Sequence, residues 1–217
     1  MRRTSLRGLI LVLLIGSMLP CAAFAELSVG VKENDWAEYD VSFTGTPMAE
    51  HDAEWARMKV DAVEGVRINV TFSSLLSDGS MVNVTENLDF ETGQLIDYFI
   101  IPAGLEENDT FYSIFGGEEV IVGIDEVATK TYAGAARTVI SGKTPETLWF
   151  WDQTTGVLVE AQSIYPNFTL TTIIEKTGLW EPQIFGLDPP TFYGIVISFS
   201  IAIVIFAILL VQQRKRR

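Results

Sequence analysis

The chain has 217 residues, 48% of them hydrophobic, with 28 acidic residues against 15 basic ones. Three arginines lie in the first 25 residues and four basic residues in the last six, so residues 26–190 hold eight basic and all 28 acidic residues, a net charge of −20. This charge excludes nucleic acid as a partner, because binding phosphates requires a basic surface. It is compatible with solubility in salt and with loose binding of divalent cations.

Residues 1–25 are predicted to be a secretory signal peptide. A basic start is followed by the apolar run GLILVLLIGSML, and Ala23-Phe24-Ala25 fits the small-x-small cleavage pattern. The single cysteine, Cys21, belongs to this segment. The mature chain would therefore have no disulfide, no thiolate metal site and no cysteine nucleophile.

Residues 26–180 are predicted to form one extracellular β domain. Apolar and polar residues alternate with the period of a strand over 38–43, 56–62, 66–72 and 167–172. Turn signals recur between such runs, at Glu64-Gly65, Asp78-Gly79, Thr92-Gly93, Gly116-Gly117, Gly142-Lys143 and Thr155-Gly156. We expect an all-β fold, a curved antiparallel meander of half-barrel or sandwich-like shape, with residues 101–111 irregular and no soluble helix.

One motif occurs twice in this domain. DFETGQL (89–95) and WDQTTGVL (151–158) share the pattern Asp-x-x-Thr-Gly-x-Leu. An aspartate can accept a hydrogen bond from the backbone two residues later, and glycine can take the left-handed conformation that ends such a turn. Asp89 and Asp152 are therefore predicted to make turns rather than to catalyse a reaction.

Aromatic residues concentrate in LWFW (148–151). In a strand, Trp149 and Trp151 would share one face, and Leu148 and Phe150 the other. A strand that is apolar on both faces lies within a covered sheet or lines a cavity. Trp149 and Trp151 are thus candidates for lining a ligand cavity, with a thick core as the alternative.

The sequence indicates no catalytic, cofactor-binding or metal-binding residues. The one histidine, His51, has Glu50, Asp52 and Glu54 close by, but a loop would leave all four solvated. Recognised nucleophile, zinc-protease and nucleotide-binding motifs are absent from the sequence. Acidic pairs are present, but adjacent strand residues point apart, whereas glycoside hydrolysis needs two carboxylates across a cleft. The carboxylate pairs are at Glu106-Glu107, Glu118-Glu119 and Asp125-Glu126.

Four Asn-x-Ser/Thr sequons are candidate glycosylation sites: Asn69, Asn83, Asn108 and Asn167. All but Asn108 are predicted on the polar face of a strand, where a glycan would point to solvent. The alternative is that the four are ordinary strand and turn residues.

The C-terminal part is predicted to anchor the chain in a membrane. Residues 181–190 form a proline-containing stalk, and residues 191–211 are uncharged and long enough for a helix of about 31 Å, which matches a hydrocarbon core of about 30 Å. The basic tail, 212–217, marks the cytoplasmic side by the positive-inside rule. These features predict a single-pass protein of the plasma membrane with its N-terminal domain outside.

Several stretches support a resemblance to known proteins: VKENDWAEYDV, FIIPAGLEENDTF, YAGAARTV and WFWDQTTGVLVEA. They resemble a group of uncharacterised archaeal surface proteins with a signal peptide, one β-rich ectodomain and a C-terminal span. More loosely, the D-x-x-T-G hairpin and the strand pattern resemble the bacterial lipoprotein-carrier (LolA-like) fold, whose curved sheet encloses an apolar cavity. This chain departs from that fold in lacking obvious helices over the cavity and in having a span.

Two functions are therefore expected from the sequence. The first is a non-enzymatic cell-surface interaction or envelope module that binds an extracellular protein, glycan or cations. The alternative is a tethered half-barrel that binds an apolar ligand or lipid. A filled core would favour the first, an aromatic cavity the second, and two carboxylates across a cleft would favour a hydrolase.

Overall fold

The computed structural model describes residues 27–45, 52–115 and 117–216. The predicted signal peptide with Cys21, and His51 with Glu50, lie outside these ranges.

The strands form one large antiparallel sheet and one separate hairpin. They are β1 (Trp36–Gly45), β2 (Ala53–Glu64), β3 (Arg67–Leu76), β4 (Met81–Asp89), β5 (Thr110–Phe115), β6 (Glu118–Gly123), β7 (Glu126–Tyr132), β8 (Ala135–Lys143), β9 (Thr147–Asp152), β10 (Leu158–Ile164) and β11 (Phe168–Thr177). The large sheet has nine strands in the order β4-β3-β2-β1-β11-β10-β9-β8-β7, and β5 pairs with β6. The first and last strands thus meet near the middle of the sheet, where they run antiparallel. The predicted all-β class is confirmed.

One face of the large sheet is apolar and buried, as the alternation predicts. Tyr39 in β1 and Met58 in β2 are fully buried, whereas Asp40 and Lys59, the next residue along each strand, are exposed. Because directly paired residues project to the same face, these rows join into one continuous apolar surface across the strands.

The turn predicted at Gly142-Lys143 is wrong. Both residues lie in β8, and the chain turns at residues 144–146 instead. A Cβ at Gly142 would lie 2.7 Å from the carbonyl oxygen of Gly123, so this glycine lets the end of β6 approach the sheet. Glycine here permits a close backbone contact rather than a turn.

The apolar face is covered by the protein's own chain. Residues 90–109, which we call the crossing segment, run from β4 to β5 without a helix or strand of their own. They include residues 101–109 of the stretch predicted to be irregular, whose last two residues, 110 and 111, begin β5 instead. Ile101 donates its backbone N–H to Gly156 at 3.0 Å, and Gly104 donates to Gln153 at 2.7 Å. The hairpin β5–β6 adds Phe111 and Val122 to the same core. The core beneath the sheet is therefore filled.

The one helix among the described residues is α1 (Pro189–Lys215), whose 27 residues measure about 40 Å. It contains the predicted span but begins two residues earlier, because proline is tolerated in the first helical turn, where its missing N–H is not needed. None of its residues is buried against the β domain. By length and composition it could cross a membrane.

Candidate functional site

The two copies of the repeated motif form the same turn, and both aspartates act as predicted. Asp89 Oδ1 accepts the backbone N–H of Glu91 at 2.9 Å, and its Oδ2 accepts Arg67 Nε at 2.8 Å. The glycine that follows, Gly93, has φ +73°. The hydrogen bond from Arg67, with the turn amides, holds the pKa of Asp89 below its usual range.

Asp152 makes a more deeply buried version of this turn. Its Oδ1 accepts both the backbone N–H and the hydroxyl of Thr155 at 2.9 Å, and its Oδ2 accepts Arg137 Nε at 2.7 Å. The Asp152 side chain is 0% exposed, and the guanidinium carbon of Arg137 lies 4.7 Å from the centre of the Trp180 ring. The carboxylate is fully occupied by turn and ion-pair contacts, so its role is structural.

The candidate binding site in the β domain is a cavity of about 200 Å³ between β9–β11 and the crossing segment. Two rows of cross-strand partners make its wall. Trp149 lies opposite Ala161, which lies opposite Thr172, and Thr147 lies opposite Ser163, which lies opposite Leu170. The small side chain of Ala161 lies between larger neighbours and leaves the space open.

The other wall is formed by two strained residues near the middle of the crossing segment. Asp97 and Tyr98 have φ of +44° and +54°, which is unusual for non-glycine residues and costs free energy. This conformation turns Tyr98 into the core, 5.0 Å from Trp149 between ring centres, and lets Phe99 pack at 5.4 Å on Tyr39. Strain of this kind persists only where surrounding contacts hold it, and it is common at binding sites.

Hydrogen bonds hold this strained segment against the sheet. Trp151 Nε1 donates to the carbonyl oxygen of Tyr98 at 2.7 Å, and the backbone N–H of Leu158 donates to that of Phe99 at 2.9 Å. Both contacts are buried, so they are stronger than equivalent contacts in water. These two hydrogen bonds hold this wall of the cavity against β9 and β10.

The cavity is lined by both apolar and hydroxyl-bearing side chains. Trp149, Leu158 and Leu170 supply apolar surface, and the hydroxyl groups of Thr147 and Ser163 lie along one side. Thr147 and Ser163 hydrogen-bond to each other at 2.9 Å. The lining also includes the exposed Asp97 and the half-buried Tyr165. Such a site suits an apolar group that carries a hydrogen-bonding edge.

The two tryptophans predicted to line a cavity take different positions. Trp149 lies on the cavity wall and is 8% exposed, whereas Trp151 is 0% exposed and packs beneath it. Trp36 lies on the opposite face of the sheet, where the guanidinium carbon of Arg57 is 5.0 Å from the centre of the Trp36 ring. The structure thus combines a thick aromatic core with a small cavity at its edge.

The acidic residues do not gather into a site in the described part of the chain. There, no group of three or more histidine and acidic side chains is close enough to hold a metal ion. The three pairs of adjacent acidic residues are all exposed. They lie at 106–107, 118–119 and 125–126.

All four sequon asparagines are exposed. Asn69 lies in β3 and Asn83 in β4, whereas Asn108 has φ +72° in a turn, and Asn167 immediately precedes β11 rather than lying in a strand. Their glycosylation stays a prediction.

No protein-family model matches this chain, and no curated protein is significantly similar to it.

Proposed function

We propose that this chain is a single-pass protein of the plasma membrane whose β domain lies outside the cell and acts as a non-enzymatic interaction module. The observation that carries the proposal is the filled apolar face: the crossing segment and the hairpin β5–β6 occupy the space in which a carrier would hold its ligand. The exposed, apolar α1 supplies the anchor, and the basic tail indicates that the domain is outside.

The cavity beside Trp149 is the proposed binding site of this module. At about 200 Å³ it is smaller than the roughly 300–1,000 Å³ typical of small-molecule sites. A space of this size suits one or two apolar side chains of a partner protein, which would serve as the anchor of a larger interface. A sugar ring would need an open aromatic face, and Trp149 is only 8% exposed.

The second candidate function is binding of an apolar ligand or lipid by a tethered half-barrel. The apolar side chains in the lining of the same cavity favour it, as does the resemblance of the D-x-x-T-G hairpin to lipoprotein carriers. The chemical nature of the bound molecule distinguishes the two candidates, since the site is shared.

Site-specific photo-crosslinking in intact cells tests the proposal. A photoreactive residue at Ser163, on the cavity rim, should give a discrete protein adduct. The same residue at Gln162 should not, because this neighbour is exposed on the opposite face of the sheet. Adding Ala161→Phe, which fills the cavity, should abolish the adduct from position 163 without lowering the melting temperature by more than a few degrees.

The other outcomes are equally informative. A lipid adduct at position 163 that Ala161→Phe removes would favour the half-barrel carrier. Equal adducts from positions 162 and 163, or an adduct unaffected by Ala161→Phe, would contradict a binding role for this cavity.

A further inference from the structure

The segment between the sheet and α1 ends in a tight turn with an exposed aromatic residue at its tip. Ile184 and Leu187 exchange backbone hydrogen bonds of 2.9 and 3.1 Å, and the two residues between them, Phe185 and Gly186, have φ of +53° and +76°. This pair of left-handed residues is the pattern of a type I′ turn. Phe185 is 89% exposed, so a bulky apolar residue holds an unfavourable conformation without gaining any burial in the protein.

The turn is rigidly connected to the sheet. The backbone N–H of Gln183 donates to the carbonyl oxygen of Gly134 at 2.8 Å, and the side-chain oxygen of Gln183 accepts the N–H of Ala136 at 3.2 Å. Just before it, Trp180 Nε1 donates to the carbonyl oxygen of Tyr132 at 3.2 Å. The predicted stalk is therefore fastened to the β7–β8 turn at its start.

The turn is also continuous with the helix. The side-chain nitrogen of Gln183 lies 3.4 Å from Asp188 Oδ1, and Asp188 accepts the N–H of Phe192 in the first helical turn. The rings of Phe185 and Phe192 are 5.9 Å apart, and Phe192 is 5.6 Å from Tyr193. An aromatic cluster thus surrounds the point at which the helix would enter a bilayer, the depth at which aromatic residues concentrate in membrane proteins.

We propose that Phe185 inserts into the interfacial layer of the membrane and, with α1, fixes the orientation of the β domain. The inference rests on the proposed function, because it takes α1 as a span. Insertion would remove the apolar ring from water, which the protein itself does not do. Apolar insertion also suits a domain of charge −20, which anionic lipid headgroups would repel.

This orientation has a consequence for the cavity. The β7–β8 turn and the β9–β10 turn lie at the same end of the sheet, because β8 and β9 are antiparallel neighbours. The cavity rim at Thr147 and Ser163 lies at the opposite end. The six residues of β9, from 147 to 152, make five steps along the strand and separate the two ends by about 17 Å. The binding site would therefore face away from the membrane that holds the protein.

Spin labels on the full chain in phosphatidylcholine nanodiscs test this inference. Where the signal peptide is retained, Cys21→Ser removes the one native cysteine. We expect a label at Phe185→Cys to be more accessible to oxygen than to a water-soluble nickel complex. Asp78→Cys, exposed in the β3–β4 turn at the far end of the sheet, is the aqueous control, and Phe199→Cys, 70% exposed on α1, is the membrane control. The ratio of oxygen accessibility to nickel accessibility at position 185 should lie between the ratios at positions 78 and 199.

A gadolinium-chelating lipid reports the orientation. Relaxation enhancement should be stronger at Thr154→Cys, in the β9–β10 turn, than at Pro166→Cys, in the β10–β11 turn, both of which are exposed. If position 185 behaves like position 78 while position 199 reports the bilayer interior, the insertion is wrong although the span is right. If position 199 is also aqueous, the proposed anchoring fails, and equal enhancement at 154 and 166 would overturn the orientation.

Discussion

At the scale of single residues, the two copies of the repeated turn differ chiefly in burial. Arg67, the partner of Asp89, has a side chain that is 69% exposed, whereas Arg137, the partner of Asp152, is 23% exposed and covered by Trp180. Water therefore competes more strongly with the first ion pair than with the second, whose carboxylate is 0% exposed. The stability of the turn therefore depends much more on the aspartate in the second copy.

We expect Asp152→Asn to destabilise the β domain by about 1–3 kcal/mol, because it leaves the partly buried guanidinium of Arg137 without its carboxylate partner. Asp89→Asn is the matched control and should cost less, since solvent can take over the contacts of Arg67. Urea denaturation of both variants measures the difference. Equal losses would contradict the assigned difference in burial.

Tyr39 links stability to alkaline pH. Its hydroxyl is buried and donates to the carbonyl oxygen of Leu158 at 3.1 Å, and burial raises its pKa well above the ordinary tyrosine value. Below about pH 10 this tyrosine is neutral in both the folded and the unfolded chain, so its full contribution to the free energy of unfolding is present. Above that pH only the unfolded chain ionises, so stability falls as the pH rises.

Tyr39→Phe should therefore lower the free energy of unfolding by about 1 kcal/mol at neutral pH and make the decline above pH 10 shallower. Denaturation curves between pH 8 and pH 11 provide the measurement. The raised pKa of Tyr132, caused by burial and its hydrogen bond to Glu160, should leave part of the decline in place. An unchanged slope in Tyr39→Phe would refute this assignment.

At the scale of elements, the crossing segment and the β9–β10 turn depend on each other. Gly156 has φ +71°, and a Cβ there would overlap the carbonyl oxygen of Ile101. Gly65, in the β2–β3 turn, has φ +64° but nothing within 4 Å. At both positions the left-handed backbone conformation disfavours any residue with a side chain. Only at Gly156 would the side chain also clash with a neighbouring atom.

Gly65→Ala should therefore cost about 1–2 kcal/mol, the penalty of a left-handed alanine. Gly156→Ala should cost distinctly more and increase hydrogen exchange at the backbone N–H of Ile101, which bonds to Gly156. Thermal melting and exchange measurements on both variants test this. Equal melting temperatures would show that the crossing segment moves away at no cost.

The elements of the β sheet were readable from the sequence, but of the cavity lining only Trp149 was. Alternation placed the strands around Tyr39 and Met58 because a buried face imposes a period of two, and the uncharged run placed the helix. The turn at Gly142 was mispredicted because its neighbour, β6, is distant in sequence. The strained Asp97-Tyr98 pair has no local sequence signal, since its conformation is imposed by contacts with β9 and β10.

At the scale of the whole molecule, the proposed function assigns binding to the β domain and membrane attachment to α1. The sheet places its cavity at one end and its connection to α1 at the other, so attachment and binding need not compete for the same surface. A lipid carrier would instead need a larger cavity that the bilayer can reach. The arrangement favours a partner that approaches from outside.

Native mass spectrometry of the full chain, released from detergent micelles before and after organic extraction, tests this account most directly. We expect the mass of the protein alone, with glycans where the host attaches them, and no one-to-one apolar adduct. A stoichiometric adduct that extraction removes, and that Ala161→Phe prevents, would contradict the interaction module and establish a carrier in its place.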